Sequence, residues 1–469
     1  MLNAVRSARR HTARRAFASA APARNTAPPA PRAQDAGAGA ALETQDVTAM
    51  DALLRVVRGR VDPAQHCVLP MKSGLSWSES LRQRGAPEAA AAAPAHALAP
   101  RRMADSYCEQ LLRFAGAPAL FEAYTNTSGG IRTGKLMEHL DSLAGSIAYK
   151  HMLGPVERIA APAALGFYLV TASVDRLDML AYMSPVRDLR LSGQVVYVGR
   201  SSMEVAVRME ALNSDGSEET VMLGRFCMVC RDSKTHKAHP VNPIVLETAE
   251  DQQLWRMGEA HKNRRTSSAV ASLARVPPSS AESAALHSLY LQSIVQSPAA
   301  DPRVAGDERV PMGTTRLEKT LTMYPQERNI HAKIFGGYLM RLAYELGYSN
   351  SMLFTRGPVR FLSLDSISFA RPVPIGSVLR LKSHVLHTAA TREFPALIHV
   401  GVKANVVDIA TGSEQLTNDF RFTWCREDGE PLQRTVVPMT YQEAMWWVEG
   451  KRALDLGAEI RRIRAEKRA

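Results

Sequence analysis

The 469-residue chain contains no run of 18 uninterrupted apolar residues, so no segment reads as a transmembrane helix and a soluble protein is expected. Its cysteines are Cys67, Cys108, Cys227, Cys230 and Cys425, too few and odd in number for a disulfide framework. Cys227 and Cys230 make a lone C-x-x-C in "GRFCMVCRD". A structural zinc site needs a second pair, which is missing, so buried thiols are expected and neither metal nor other cofactor is called for. No G-x-S-x-G elbow occurs, which argues against a serine hydrolase. Acidic residues are absent from residues 1–34, which hold seven arginines; removing that stretch takes the formal net charge from +12 to +5. The basic excess is therefore local, and no nucleic-acid partner is expected. Such an arginine-rich, acid-free start reads as a mitochondrial transit peptide, with the matrix as destination.

Residues 35–100 are rich in Ala and Pro, as in "APEAAAAAPAHALAP", and read as a linker or loosely packed arm, with a short helical stretch near "VTAMDALLRVV". Beyond them "SGGIRTGKLMEHLD" (128–141) imitates a phosphate loop: Gly129, four residues, Gly134, Lys135. Leu136 stands where a Ser or Thr hydroxyl would hold Mg²⁺, and "EAYTNTS" is no buried strand. The glycines need another explanation.

Internal repetition supplies it. A shift of 203 residues lays "NTSGGIRTGKLM" (126–137) on "NIHAKIFGGYLM" (329–340), with Asn126 over Asn329 and Gly134 over Gly337. A second block at a shift of 190 sets Asp175 over Asp365, and a third at 195 pairs Arg231 with Arg426 and Pro243 with Pro438. The chain thus divides into repeats at 101–250 and 311–469, joined by a linker over 251–310. In the first, Leu136, Met137, Leu140, Leu143, Ala144, Ile147 and Ala148 recur at helical spacing. Alternating, β-branched stretches such as "LRLSGQVVYVGRSSMEVAVRMEAL" and "ALIHVGVKANVVDIA" read as strands, and "NSDG" and "DIATG" as turns. The expected class is α+β: one long helix wrapped by a curved antiparallel sheet, made twice and packed sheet to sheet.

These residues resemble the hotdog-fold acyl-CoA thioesterases, specifically the mitochondrial double-hotdog acyl-coenzyme A thioesterase 9 branch. The carriers are "DSYCEQLLRF" and "GGIRTGKLMEHLDSLAGSIAYKH" in the first repeat and "YPQERNIHAKIFGGYLMRLAYELG" in the second, with "YVGRSSMEVAV" and the closing "CRD" and "CRE" strands. The resemblance spans about residues 100–460 and implies a tandem hotdog that hydrolyses acyl-CoA to a free acid and CoA, in a homo-oligomer.

A glycine turn that opens a helix presents unpaired N–H groups and the positive end of the helix dipole, which suit a thioester oxygen gaining charge. "IFGG", with Phe335, Gly336 and Gly337, and "IRTG" read as oxyanion turns. Asp141 lies two helical turns after Gly134 on the face of Met137, Ala144 and Ala148. An Asp beside an apolar stripe is either a core-edge hydrogen bonder or a general base or nucleophile of raised basicity. The family's working pair, carried over, is Asp141 with Asn329, whose plainer role is turn former. Arg200, Ser201 and Ser202 resemble the family's strand at the CoA groove, and Arg132 and Lys135 flank the first turn; all five are candidate CoA contacts or plain surface groups. Asp175 and Asp365 read as structural. The mirror combination, Asn126 with Tyr344, lacks a base, so one site per chain is expected. Two alternatives stay open: a hotdog dehydratase using His139 or His331, and a non-catalytic acyl-CoA-binding module.

Overall fold

The computed structural model describes residues 47–61, 66, 68–71, 98–154, 159, 165–295 and 308–468. The transit peptide expected over 1–34 lies outside them. The first repeat runs β1 (Cys108–Leu112), α1 (Thr133–Leu153), β2 (Phe167–Val174), β3 (Leu177–Met179), β4 (Asp188–Val198), β5 (Ser202–Leu212) and β6 (Glu218–Asp232). Helices α2 (Ala249–Val270) and α3 (Ser280–Val295) follow. The second repeat runs β7 (Leu317–Thr322), α4 (Gly336–Thr355), β8 (Arg360–Phe369), β9 (Val378–Ala389), β10 (Ala396–Val407) and β11 (Glu414–Arg426), and α5 (Tyr441–Arg468) ends the chain.

The apolar stripe of α1 is buried along its whole length, from Leu136 and Met137 to Ile147 and Ala148. Each leucine-sized side chain there contributes roughly 1.5–3 kcal/mol. Strand alternation receives it: Val195, Val205 and Val207 join the core around α1, while Val196 and Ala206 point to the opposite face. The turns fall where the sequence puts them, closed by Asn213 N–H to Ser217 and Asp408 N–H to Ser413.

All the strands named above belong to one 11-stranded sheet, ordered β7-β9-β10-β11-β8-β2-β6-β5-β4-β1, with β3 bridging β8 and β6. The order is a palindrome about the β8–β2 junction, where Ile367 pairs with Val174 and Ser368 with Ser173. The repeats therefore join edge to edge rather than sheet against sheet as expected, because pairing β2 with β8 satisfies backbone groups that two separate sheets would leave at open edges. The junction lays α1 antiparallel on α4. A Cβ at Gly337 would sit 2.8 Å from the Glu138 Cα, so only glycine permits this approach. Arg341 Nη1 reaches Glu138 across the same contact at 3.2 Å.

Three expectations change. Bulges at Val195/Tyr197 and Val385/His387 match, and Val205 pairs with Phe226 as Val400 pairs with Phe422. This register sets Phe226 over Phe422 and Arg225 over Arg421, one residue out from the pairing of Arg231 with Arg426. Second, the arm at 35–100 is packed where it is described. Residues 47–58 are helical and bury Met50, Leu53, Leu54 and Val57 on Val196, Ala206 and Leu223, while Leu69 and Met71 enter the main core. Third, the linker at 251–310 contains most of α2, which belongs to the first repeat as α5 belongs to the second. Thr248 and Asp251 cap α2 as Thr440 and Glu443 cap α5. Gly258 lies on Tyr197 as Gly450 lies on His387.

Candidate active site

Asp141 is 3% exposed, on the face of α1 that meets the first turn of α4. Its Oδ1 accepts from Thr171 Oγ1 at 2.7 Å, and a Cβ on Gly336 would lie 3.0 Å from its Oδ2. Burial pushes the carboxyl up to about 6; the Thr171 hydroxyl and the Gly337 N–H pull it down, and Glu138 pushes it up. Helix α4 starts after Phe335 with no side-chain cap, so its first N–H groups and its positive dipole end open towards Asp141. The structure thus brings Asp141, Gly336 and Gly337 together from different repeats.

Asn329 lies in the turn that precedes α4. Its Oδ1 accepts from the N–H groups of His331 and Lys333 at 2.9 and 3.1 Å, and no hydrogen bond joins it to Asp141. The turn is docked on α1 by His331, whose Nε2 meets the Tyr149 hydroxyl; that hydroxyl also accepts from the Leu169 N–H at 3.0 Å. Burial pulls the His331 imidazole down to about 4. His139 bonds Tyr124 instead. Both imidazoles hold tyrosines.

The five candidate CoA contacts separate. Arg132 pairs with Glu345 and Lys135 lies over the Tyr124 ring, about 14 and 9 Å respectively along α1 from Asp141 and at the helix end that meets Tyr344. Arg200, Ser201 and Ser202 form the β4–β5 turn, with Arg200 exposed. Ser202 pairs with Val229 and Thr171 with Met228, so this turn sits two strands, roughly 10 Å, from Thr171. Asp175 and Asp365 are both in ion pairs, with Arg265 and Arg176 respectively.

Thr171 is the candidate site residue that the sequence did not single out. Its signal lay in the second repeat block, where the 190-residue shift sets Thr171 over Phe361: a hydroxyl in one copy, an aromatic ring in the other.

The same exchange runs through the whole mirror position. Tyr344 replaces Asp141, Phe361 replaces Thr171 and Trp424 replaces Met228. Tyr344 packs at 5.4 Å from Phe361 and 5.8 Å from Trp424 between ring centroids. Burial pushes its phenol up to about 12, against the Thr133 and Trp424 side chains. Among the described residues, Tyr344, Phe361 and Trp424 supply no base there.

No family model matches the chain. Over 357 residues it is 36% identical to acyl-coenzyme A thioesterase 9, mitochondrial, of Homo sapiens and 34% identical to that of Mus musculus, each match spanning 76% of this chain and 78% of the relative. A mitochondrial acyl-coenzyme A thioesterase 4 of Humulus lupulus is 38% identical over 335 residues, 70% of this chain and 62% of that one. Among solved structures, an acyl-CoA hydrolase from Bacillus cereus is 22% identical at a TM-score of 0.29, over 34% of this chain and 94% of its own. An acyl-ACP thioesterase from Bacteroides thetaiotaomicron is 12% identical at a TM-score of 0.37, over 69% and 100%. By its identity to the mitochondrial relatives, the chain belongs to the acyl-coenzyme A thioesterase family, in the branch of thioesterase 9.

Proposed function

We infer that the protein is a mitochondrial acyl-CoA thioesterase with one active site per chain, built from Asp141, Thr171, Asn329 and the first turn of α4. The observation that carries this reading is the Asp141 carboxylate, buried and bonded to Thr171, beside the first-turn backbone of Gly336 and Gly337. In the proposed reaction Asp141, ionised above its raised pKa, takes a proton from water as the water oxygen attacks the thioester carbonyl carbon. The first-turn N–H groups stabilise the oxyanion. The C–S bond then breaks, and the proton passes from Asp141 to the departing CoA sulfur. The Asn329 carboxamide, its oxygen held by two backbone N–H groups, orients the water or the thioester through its NH₂. The turn at Arg200–Ser202 receives the CoA phosphates; Arg132 and Lys135 make the smaller contribution because each already has a partner.

The test is thiol release from short, medium and long acyl-CoAs by protein lacking residues 1–34. CoA and free acid are expected without added metal. Loss of activity on chelation, or no thiol from any chain length, rejects the reading; binding without release favours the acyl-CoA-binding module. A fluorescent fusion of residues 1–34 is expected in mitochondria, and cytosolic fluorescence would reject that part. Homo-oligomers are part of the proposal, with the unpaired side of edge strand β7 as the surface through which copies would join. A monomer by sedimentation rejects it. Within the described residues, no helix is long and apolar enough to cross a membrane.

A further inference from the structure

The sheet of the second repeat has a second face, turned away from α4 and towards α5. On it lies a cavity of about 210 Å³, lined by Lys382, His384, Lys403, Asn405, Arg421 and Trp446 among others. No carboxylate lines it. We propose that this cavity binds a small phosphate-bearing anion through Lys403, Lys382 and Arg421, on the face of the sheet opposite the Asp141 site.

The charges around it do not cancel. Lys382 is paired with Glu414 at 2.6 Å, and Arg380 shares the same carboxylate. Arg421 is paired with Asp419 at 3.0 Å and with Glu449 at 3.2 Å. Lys403, half-buried between them, has the Trp446 ring 4.5 Å away and no ion-pair partner among the described residues. Asp419 stands opposite it in the strand register but is held by Arg421. Burial pulls the Lys403 ammonium below its ordinary range, with Asp419 opposing and Arg421 assisting. An incoming anion would relieve that cost.

The first repeat carries the same position with its counter-charge built in. Arg208 occupies the place of Lys403, and its partners are Glu210 at 3.1 Å and Asp51 at 3.6 Å. Asp51 comes from the helical residues 47–58, which cover that face. In the second repeat Asn405 stands where Glu210 stands, and its amide donates to Glu414 at 3.1 Å. One carboxylate has become a neutral amide, and the carboxylate that the covering helix brings, Glu449 of α5, is held by Arg421.

Gly401 opens the cavity floor. A Cβ there would lie 2.2 Å from Arg421 Nη1 and 2.8 Å from Leu386, so the missing side chain lets the guanidinium lie across the strand. The volume is that of roughly seven waters. That is room enough for phosphate or pyrophosphate.

Calorimetric titration of the whole protein with pyrophosphate at low salt, with the catalytic site saturated by free CoA, tests the proposal. Binding that persists under CoA is expected, weakened about tenfold by Lys403→Met through loss of one charge-assisted contact. Gly401→Ala is expected to weaken it as well, and Lys319→Met, on the exposed edge strand β7, to leave it unchanged. No heat at millimolar pyrophosphate, binding abolished by CoA, or undiminished binding in folded Lys403→Met protein would overturn it. Thioester turnover by Lys403→Met is expected to match the parent.

Discussion

The two ends of the α1–α4 pair are built on one backbone and filled with opposite chemistry. At both, an asparagine closes the same turn: the Asn126 N–H bonds Gly130 and its Oδ1 accepts from Ser128 and Gly130, as Asn329 does with Lys333, His331 and Lys333. Both helices then begin without a side-chain cap. The residues facing these turns differ in chemistry. Asp141, Thr171 and Met228 face the start of α4; Tyr344, Phe361 and Trp424 face the start of α1. Backbone N–H groups and a dipole are thus not sufficient for a site. A buried carboxylate costs stability, and the end at the start of α1 holds aromatic packing in its place.

Forcing the comparison from the packed end should produce the largest effect. Tyr344→Asp puts a carboxylate among Phe361, Phe422 and Trp424 and removes the ring that fills the space. A loss of about 3–5 kcal/mol is expected in chemical denaturation, the range of large-to-small changes in a core. No added turnover is expected, since Phe361 offers no hydroxyl to the new carboxylate. A stable, more active variant would mean that the second end is merely unequipped, not closed.

Removing the base at the working end comes next. Asp141→Asn should lower turnover by about 100-fold or more, about 2.7 kcal/mol in the barrier. Asn126→Ala should stay within a fewfold, and Asn329→Ala should fall well below it. Equal losses from the two asparagines, or near-normal turnover in folded Asp141→Asn protein, would erase the distinction between the ends.

Much of this asymmetry is legible in the sequence, because duplication provides an internal reference. The 203-residue shift sets Tyr344 over Asp141 directly, and the helical spacing of Leu136 to Ala148 requires a sheet to cover it. Three things are not legible. The edge-to-edge junction is a choice of backbone pairing between β2 and β8, and neither strand's residue types encode which edge it will use. The affiliation of α2 shows in matching contacts, Gly258 on Tyr197 and Gly450 on His387, that only the folded register brings together. Thr171 looks like any strand threonine until the register brings it to Asp141.

The same buried carboxylate should separate function from stability. Its folded pKa is about 6 against an ordinary 3.8. The fold favours the protonated form, so the stability contributed by this group is complete below about pH 3.8 and is lost as pH rises through 6. Asp141→Asn removes that loss while keeping one acceptor oxygen for Thr171. The variant is expected to exceed the parent in stability by about 3 kcal/mol at pH 8, and by progressively less towards pH 4. Parallel denaturation curves at the two pH values check it; an equal difference at both would mean that the carboxylate carries no such cost.

The smallest effect should come from Thr171, and it tests whether the working end depends on tuning as well as on the base itself. The Thr171 hydroxyl donates to Asp141 Oδ1 and favours the ionised form, so Thr171→Val, which keeps the shape and removes the donor, should raise the carboxyl above its present value of about 6. One hydrogen bond to a charged group amounts to about one pKa unit. A base must be ionised to accept a proton, so the acid limb of the turnover profile should move up by that amount, and the deficit should be deepest near pH 6 and shrink towards pH 8. Loss of a contact that only positions substrate would instead lower turnover equally at every pH. A parallel drop across the profile would therefore reassign Thr171 from tuning the base to holding the thioester, and would leave Asp141 set by burial alone.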